Sequence, residues 1–382
     1  MAKQKAAGLL TLVCLMLPLS ALAKEETAET FSAVAKAAVL IDQVTGTVLY
    51  AQNETLPLPM ASTTKVMTAL LAIEYGHLDE VVETGRNAFG VPGTSIYLSL
   101  GEKLTLEQML YGLMLASGND AAVAIAEHIG GTVDAFCQRM TERAKELGCR
   151  DTVFKTPHGL PNAEHHTTAY DLALIAREAM KHPLFRQIVS TQRANIPWEG
   201  REYDRVLTNK NKLLSTYQGA IGIKTGYTKA AGRCLVFGAE REDLQVIGVV
   251  LNCPDWFQEA ARVMDYGFAN YHFVTMLREG EQVRSLPVTG GTEEEVPIAL
   301  AGNLAAPVPI DEWPDLEFDL PDALRAGVAQ GQNIGVARLS LNGKILAECP
   351  LVAAKEVPVR SFRSELGRIL KNWGPAAAQS AN

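Results

Sequence analysis

The stretch PMASTTKVMTALLAIEY, residues 59–75, decides how this chain is read. After Pro57 and Pro59, the run from Thr63 to Tyr75 has the spacing of a buried helix, with Val66, Leu70 and Leu71 on one side. Ser62 falls at or just before the first turn, and Lys65 stands three positions later. Side chains at i and i+3 project from one face of a helix, so the amine of Lys65 can reach the hydroxyl of Ser62. A serine hydroxyl is a weak nucleophile that needs a base at hydrogen-bonding distance. A lysine serves as that base only when neutral, which burial and a second nearby cation both favour by lowering its pKa. The S-x-x-K pattern alone is expected about once by chance in a chain this long, so its meaning depends on its surroundings.

Working outward, Lys36 to Ile41 and Gly46 to Tyr50 read as two apolar strands around the turn Asp42 to Thr45. Helices are predicted from Thr105 to about Leu115, opened by a Thr105-to-Gln108 capping box, and from Asp120 to Ile129. Two more follow, from about Val133 to Leu147 with Gly148 as its stop, and from about Ala169 with Thr168 as its cap. Strand patterns return at Ala220 to Lys224, Arg233 to Ala239 and Gln245 to Leu251, before a helix from Asp255 to Tyr271. A strand pair, a block of helices and three more strands predict an α+β fold over residues 30–276. Its antiparallel sheet, flanked by helices, brings the N-terminal and C-terminal strands together. From Glu279 the composition turns to Val, Pro and Gly, and a small all-β domain is predicted over 279–358. It includes Ile334 to Leu341, the hairpin turn Asn342-Gly343 and Ile345 to Glu348. In the tail, residues 360–373, Phe362, Leu366, Ile369, Leu370 and Trp373 follow helical spacing while Arg360, Arg363, Arg368 and Lys371 face elsewhere. Such an amphipathic helix suits either the surface of an anionic membrane or a seat on its own β domain.

Two further triplets join Ser62 and Lys65. Ser117-Gly118-Asn119 connects two predicted helices, where side chains can lean into a cleft. Ser117 could relay a proton to a departing amine, and the Asn119 amide could hold a substrate backbone. Lys224-Thr225-Gly226 closes a predicted strand, and Gly226 leaves its edge clear for an extended peptide to add to the sheet. Lys224 and Thr225 would offer a charge and a hydroxyl to a terminal carboxylate, and Lys224 is the second cation expected near Lys65. The backbone N–H groups of Ser62 and Tyr227 are candidates for an oxyanion hole. The candidate catalytic residues are therefore Ser62, Lys65, Ser117, Asn119 and Lys224, and the candidate substrate-binding residues Lys224, Thr225, Gly226 and Tyr227.

Residues 1–23 read as a signal peptide, with Lys3 and Lys5, an apolar stretch from Ala6 to Leu19, and Ala21-Leu22-Ala23 as the cleavage site. The mature chain would begin at Lys24, outside the cytoplasm. Loss of two lysines takes the formal charge from 35 − 43 = −8 to 33 − 43 = −10. An acidic exported chain with no basic stripe is a poor nucleic-acid binder. Five cysteines remain, Cys137, Cys149, Cys234, Cys253 and Cys349, an odd number, and mostly buried free thiols are expected. His158, His165 and His166 cluster in one loop, but no carboxylate or cysteine recurs at ligand spacing, so neither a metal site nor a cofactor is predicted.

S-x-x-K with S-D-N and K-T-G is a described signature of class A β-lactamases and penicillin-binding proteins. The chain resembles the low-molecular-mass penicillin-binding proteins, the serine-type D-Ala-D-Ala carboxypeptidases of bacteria. The resemblance is carried by Pro59 to Lys65, Leu115 to Ala121, Pro157-His158-Gly159-Leu160 and Gly222 to Thr228, and extends to the second domain and the tail. S-G-N in place of S-D-N, and the appended domain, favour this family over the β-lactamases. The resemblance implies a DD-peptidase/β-lactamase-like fold and attack by Ser62 on the penultimate D-Ala carbonyl of a peptidoglycan stem peptide. It also implies release of the terminal D-Ala, hydrolysis of the acyl-enzyme, and β-lactams as inhibitors. It places the protein at the outer face of the cytoplasmic membrane or in the wall or periplasmic space. Several relatives carry an arginine between the last sheet strand and the closing helix that helps bind the terminal carboxylate. Here that segment is Asn252-Cys253-Pro254-Asp255-Trp256-Phe257, which throws carboxylate binding onto Thr225 and Lys224. The alternatives are a D,D-endopeptidase, a β-lactamase, for which no E-x-x-L-N segment is present, and a non-catalytic wall-binding protein.

Overall fold

The computed structural model describes residues 31–362, 366 and 367. The leader 1–23 and most of the tail 360–373 lie outside the described residues, so the signal peptide and the amphipathic helix rest on sequence alone.

The chain opens with β1 (Ala37–Asp42) and β2 (Val48–Gln52), then passes through a 3₁₀ turn into α1 (Lys65–Tyr75). A short pair, β3 (Val81–Glu83) with β4 (Lys103–Thr105), leads to α2 (Leu106–Met114), α3 (Asn119–Gly130) and α4 (Val133–Glu146). The capping box at α2 forms as its sequence demands: Gln108 N donates to Thr105 Oγ1 at 3.2 Å and Thr105 N to Gln108 Oε1 at 2.9 Å. After α5 (Ala169–Ala179) and α6 (Pro183–Ser190) comes a hairpin of β5 (Arg193–Ile196) and β6 (Arg205–Thr208), then α7 (Leu213–Thr216). The sheet is completed by β7 (Ala220–Thr228), β8 (Gly232–Arg241) and β9 (Leu244–Leu251), and α8 (Trp256–Asn270) follows.

The principal sheet is antiparallel with order β2-β1-β9-β8-β7. The first strand sits inside the sheet because β1 and β9 are both apolar over nearly their whole length and bury both faces, Val39 opposite Val249. That pairing leaves β7 as an edge strand, the position a peptide-adding site requires. α1 runs through the helical layer, buried from Lys65 to Ala72, and packs on α2, α3 and α5.

A second core, around Leu286, Val296, Ile298, Leu339 and Leu351, belongs to the β-rich region. Its strands are β10 (Tyr271–Leu277), β11 (Gln282–Thr289), β12 (Glu295–Leu300), β13 (Leu304–Pro309), β14 (Asp315–Asp319), β15 (Leu324–Arg325), β16 (Asn333–Leu341) and β17 (Lys344–Ala353). Asn342 and Gly343, both at positive φ, make the hairpin turn between β16 and β17. β10 follows α8 directly and pairs with β13, so the β-rich region begins at Tyr271, ahead of the composition change at Glu279. The reason is that the β10 sequence carries no Pro or Gly to announce a boundary.

All five described cysteines are buried free thiols, and burial raises the Cys137 and Cys234 pKa values to about 12. Glu74, Glu178 and His182 come close enough to offer ligand atoms. The Arg143 guanidinium is already seated there, 2.7 Å from Glu74 and 3.8 Å from Glu178. Among the described residues, no helix is long and apolar enough to cross a membrane.

Candidate active site

Ser62 lies within the 3₁₀ turn Ala61–Thr64, which hands over to α1 at Lys65. The Lys65 amine is fully buried and makes three contacts: Ser62 Oγ at 3.1 Å, Asn119 Oδ1 at 2.7 Å and the His158 carbonyl at 2.8 Å. None of these partners is a carboxylate. Burial first, then the cations of Lys224 and Lys210, hold the Lys65 pKa well below the ordinary lysine range, while the Asp120 carboxylate acts in the opposite sense.

The turn carrying Ser62 is clamped from below. Thr64 Oγ1 donates to the Ala61 carbonyl at 2.8 Å and contacts His165 Nε2 at 2.8 Å. Lys155 N donates to His165 Nδ1 at 3.0 Å, which assigns the proton to Nε2 and makes the ring the donor to Thr64. Burial keeps His165 neutral, with a pKa of about 4. Gly159 presses on the same turn: at its φ of +86°, a Cβ would collide with the Ala61 carbonyl oxygen. His158, whose carbonyl receives Lys65, is held neutral by burial and by Lys65, with a pKa of about 3.

Ser117 and Asn119 form a second wall. Ser117 is buried with φ +65°, and its carbonyl accepts from Thr94 Oγ1 at 2.5 Å. Asn119 opens α3, its amide oxygen accepting from Lys65 and its nitrogen donating to the Pro92 carbonyl at 2.7 Å. The Asp120 carboxylate gathers the facing segment, accepting from Ser95 Oγ at 2.5 Å and from the Ile96 and Leu98 backbone at 3.1 Å.

The third wall is β7, which continues past Lys224-Thr225-Gly226 to Thr228. Gly226 answers a local demand: a Cβ there would lie 2.8 Å from Ser62 N and 2.9 Å from Thr63 N, so the strand approaches the nucleophile's turn only without a side chain. Lys224 is buried, its amine donating to the Thr225 carbonyl at 3.2 Å, and burial together with Lys210 lowers its pKa to about 7. Ser62, Ser117, Asn119, Thr225, Gly226 and Tyr227 share one cleft of about 310 Å³. Lys65 and Lys224 are buried beside it, and Lys65 is hydrogen-bonded to the Ser62 and Asn119 side chains that line it. The structure thus brings together all eight residues singled out in the sequence.

It also adds some that no motif announced. Lys210 lines the cleft on a loop whose backbone is tied down by its neighbours. Asn209 Nδ2 donates to the Val189 and Thr191 carbonyls at 3.1 and 3.0 Å, and Asn211 Oδ1 accepts from Leu213 N at 3.1 Å. In sequence it is one more lysine in a polar run. Trp256 and Thr94 line the cleft as well, beside Leu160 of the Pro157-His158-Gly159-Leu160 segment.

The family description "D-alanyl-D-alanine carboxypeptidase" matches residues 23–255, and "Penicillin-binding protein 5, C-terminal domain" matches residues 271–359. The chain belongs to the D-alanyl-D-alanine carboxypeptidase family. It is 33% identical to D-alanyl-D-alanine carboxypeptidase DacF of Bacillus subtilis, over 89% of this chain and 90% of the relative. It is 29% identical to DacC of Escherichia coli, over 90% of this chain and 89% of the relative. Among solved structures, penicillin binding protein 5 from Haemophilus influenzae superposes with a TM-score of 0.75 at 28% identity, over 86% of this chain and 98% of that one. A point mutant of Streptomyces K15 DD-transpeptidase gives 0.60 at 35% identity, over 63% of this chain and 99% of that one. This carboxypeptidase-family chain therefore carries both regions of the penicillin-binding protein 5 architecture.

Proposed function

We propose that the chain is a serine D-alanyl-D-alanine carboxypeptidase that removes the terminal D-Ala from peptidoglycan stem pentapeptides through an acyl-enzyme, and that β-lactams acylate the same serine. The observation that carries this reading is the set of partners around the Lys65 amine. Two of the three, the Asn119 and His158 oxygens, can only accept, and the third, Ser62 Oγ, can also donate. A neutral amine has two N–H bonds and one lone pair, so its lone pair falls to the Ser62 O–H.

Lys65 takes the Ser62 proton as Oγ attacks the penultimate D-Ala carbonyl carbon. The resulting oxyanion is held by the Ser62 and Tyr227 N–H groups. The C–N bond breaks, and Ser117 relays the proton from Lys65 to the leaving amine. Water then attacks the ester carbonyl and gives its proton to Lys65, which returns it to Ser62 Oγ as the acyl group leaves. The terminal carboxylate lies against the Thr225 hydroxyl and Lys210. Lys224, buried within electrostatic reach of Lys65 and Lys210, lowers the Lys65 pKa through its charge. The reaction takes place outside the cytoplasm, as the leader sequence implies.

The test is incubation with a fluorescent penicillin beside D-Ala release from a pentapeptide. Stable labelling and release are expected in the wild type, and Ser62→Ala should lose both with its thermal midpoint nearly unchanged. D-Ala release retained by Ser62→Ala would refute the assignment, rapid drug turnover would indicate a β-lactamase, and no labelling a non-catalytic protein.

A further inference from the structure

The part of the cleft wall formed by Gly93 and Thr94 belongs to a segment, residues 92–98, that contains neither helix nor strand. With no ladder to pair with, its buried N–H groups need side-chain acceptors. The start of α3 supplies the hold. Asn119 N donates to the Thr94 carbonyl at 2.7 Å, and a Cβ at Gly93 would come within 2.8 Å of Asn119 Nδ2. The segment therefore runs directly against the side-chain amide whose oxygen receives Lys65. Asp120 takes the rest. Its buried carboxylate accepts from Ser95 Oγ, Ile96 N and Leu98 N across the gap, and from Ala121 N at 3.0 Å on its own helix. Gly118 leaves it room, since a Cβ there would lie 2.8 Å from Asp120 Oδ1.

Burying a charge is costly unless hydrogen bonds satisfy it, and here four donors do. An ionised carboxylate presents only lone pairs, whereas the isosteric amide would turn an NH2 group toward one of those donors. The site thus selects aspartate over asparagine. We propose that Asp120 is a positioning residue for acylation: by tying residues 95–98 to the start of α3 it holds the Asn119 amide, and through it the Lys65 amine, on Ser62. The inference deepens the carboxypeptidase reading and rests on it. Asp120 touches neither the substrate nor the reacting atoms, so its effect passes through Asn119 and Lys65. Its charge reaches the base too. Lys224 of β7 and Lys210 of the loop after β6 favour the neutral Lys65 amine, the His158 ring beside it is neutral, and Asp120 of α3 favours the protonated form. Removing that negative charge lets Lys65 lose its proton at lower pH, the reverse of what removing the Lys210 cation does.

The experiment measures the second-order rate of labelling by a fluorescent penicillin against pH, per mole of enzyme that takes up label, for the wild type, Asp120→Asn and Ser95→Ala, with thermal unfolding in parallel. Asp120→Asn should label about ten- to a hundredfold more slowly on its plateau, with the rise of rate displaced to lower pH. Ser95→Ala removes one donor and keeps the charge, so it should label about three- to tenfold more slowly with the rise unmoved. A merely structural role would lower the thermal midpoints and leave both the rate per labelled enzyme and the pH profile as they were. Plateau rates within about twofold of wild type in both variants, or a rise in Asp120→Asn that stays at the wild-type pH, would overturn the proposal. If Asp120→Asn does not fold, Ser95→Ala decides by its plateau rate against the same limit. Absence of labelling in the wild type would instead overturn the carboxypeptidase reading, and the positioning role with it.

Discussion

Replacing Gly226 by alanine isolates the close approach between β7 and the turn that carries Ser62. Gly226 does not occupy left-handed backbone, so alanine meets no conformational obstacle; the obstacle is space. The new Cβ would sit 2.8 Å from Ser62 N, 2.9 Å from Thr63 N and 3.2 Å from Ala61 Cβ. Ordinary contact begins near 3.5 Å, so strand and turn must part by about 0.7 Å. Neither side yields freely. The turn is pinned by Thr64, His165 and Gly159, and the strand by its ladder to β8. Overpacking of this kind destabilises by about 1–3 kcal/mol. A displacement approaching 1 Å between reacting groups costs about a hundredfold in rate, so Gly226→Ala should acylate about ten- to a hundredfold more slowly. The assay is the second-order rate of labelling by a fluorescent penicillin, with thermal unfolding followed in parallel. Gly101→Ala supplies the control, because that glycine has positive φ but open space around it, and it should lose some stability without loss of acylation. A Gly226→Ala rate within twofold of wild type would refute the idea that this contact positions the nucleophile.

Lys210→Gln should lower kcat/KM for a peptide ending in a free carboxylate by about five- to thirtyfold, the equivalent of about 1–2 kcal/mol for a charged contact in a solvent-open cleft. The same peptide ending in an amide should be much less affected. Because Lys210 helps hold the Lys65 pKa down, its removal should also shift the rise of acylation rate to higher pH. Equal loss for both peptides, or an unmoved pH profile, would count against that role. His158 and His165, at about 3 and about 4 when folded, lie below the ordinary histidine value of about 6.5. The unfolded chain therefore binds protons that the folded one refuses. Their contribution to stability is whole above about pH 6.5 and falls as pH drops toward the folded values. Thermal midpoints between pH 7 and pH 4 should fall less steeply in His165→Gln, whose amide can still accept from Lys155 N and donate to Thr64; an unchanged slope would contradict this.

Much of the fold was legible because it is encoded locally. The Thr105–Gln108 box starts α2, the apolar runs at 37–42 and 244–251 demand a two-sided burial that only a central pair of strands supplies, and the Asn342-Gly343 turn closes its hairpin. The start of the β-rich region was not legible, since β10 is recognised only by its pairing with β13. In the site, Gly226 read as an open strand edge, whereas the structure shows it admitting the Ser62 turn. Lys224 is buried with its amine on the Thr225 carbonyl, and Lys210, which no motif announced, joins it at the cleft.

By itself, the amino-acid sequence determined which groups could react: a hydroxyl and an amine one helical turn apart, two polar triplets, and an antiparallel sheet whose first and last strands meet. Tertiary structure alone decided the charge state and the aim of those groups. Whether Lys65 can act as a base depends on the water removed from around it, on cations 145 and 159 positions further along the chain, Lys210 and Lys224, and on carbonyl acceptors brought from Asn119 and His158. Such fields and distances arise when remote segments pack, and no local pattern records them.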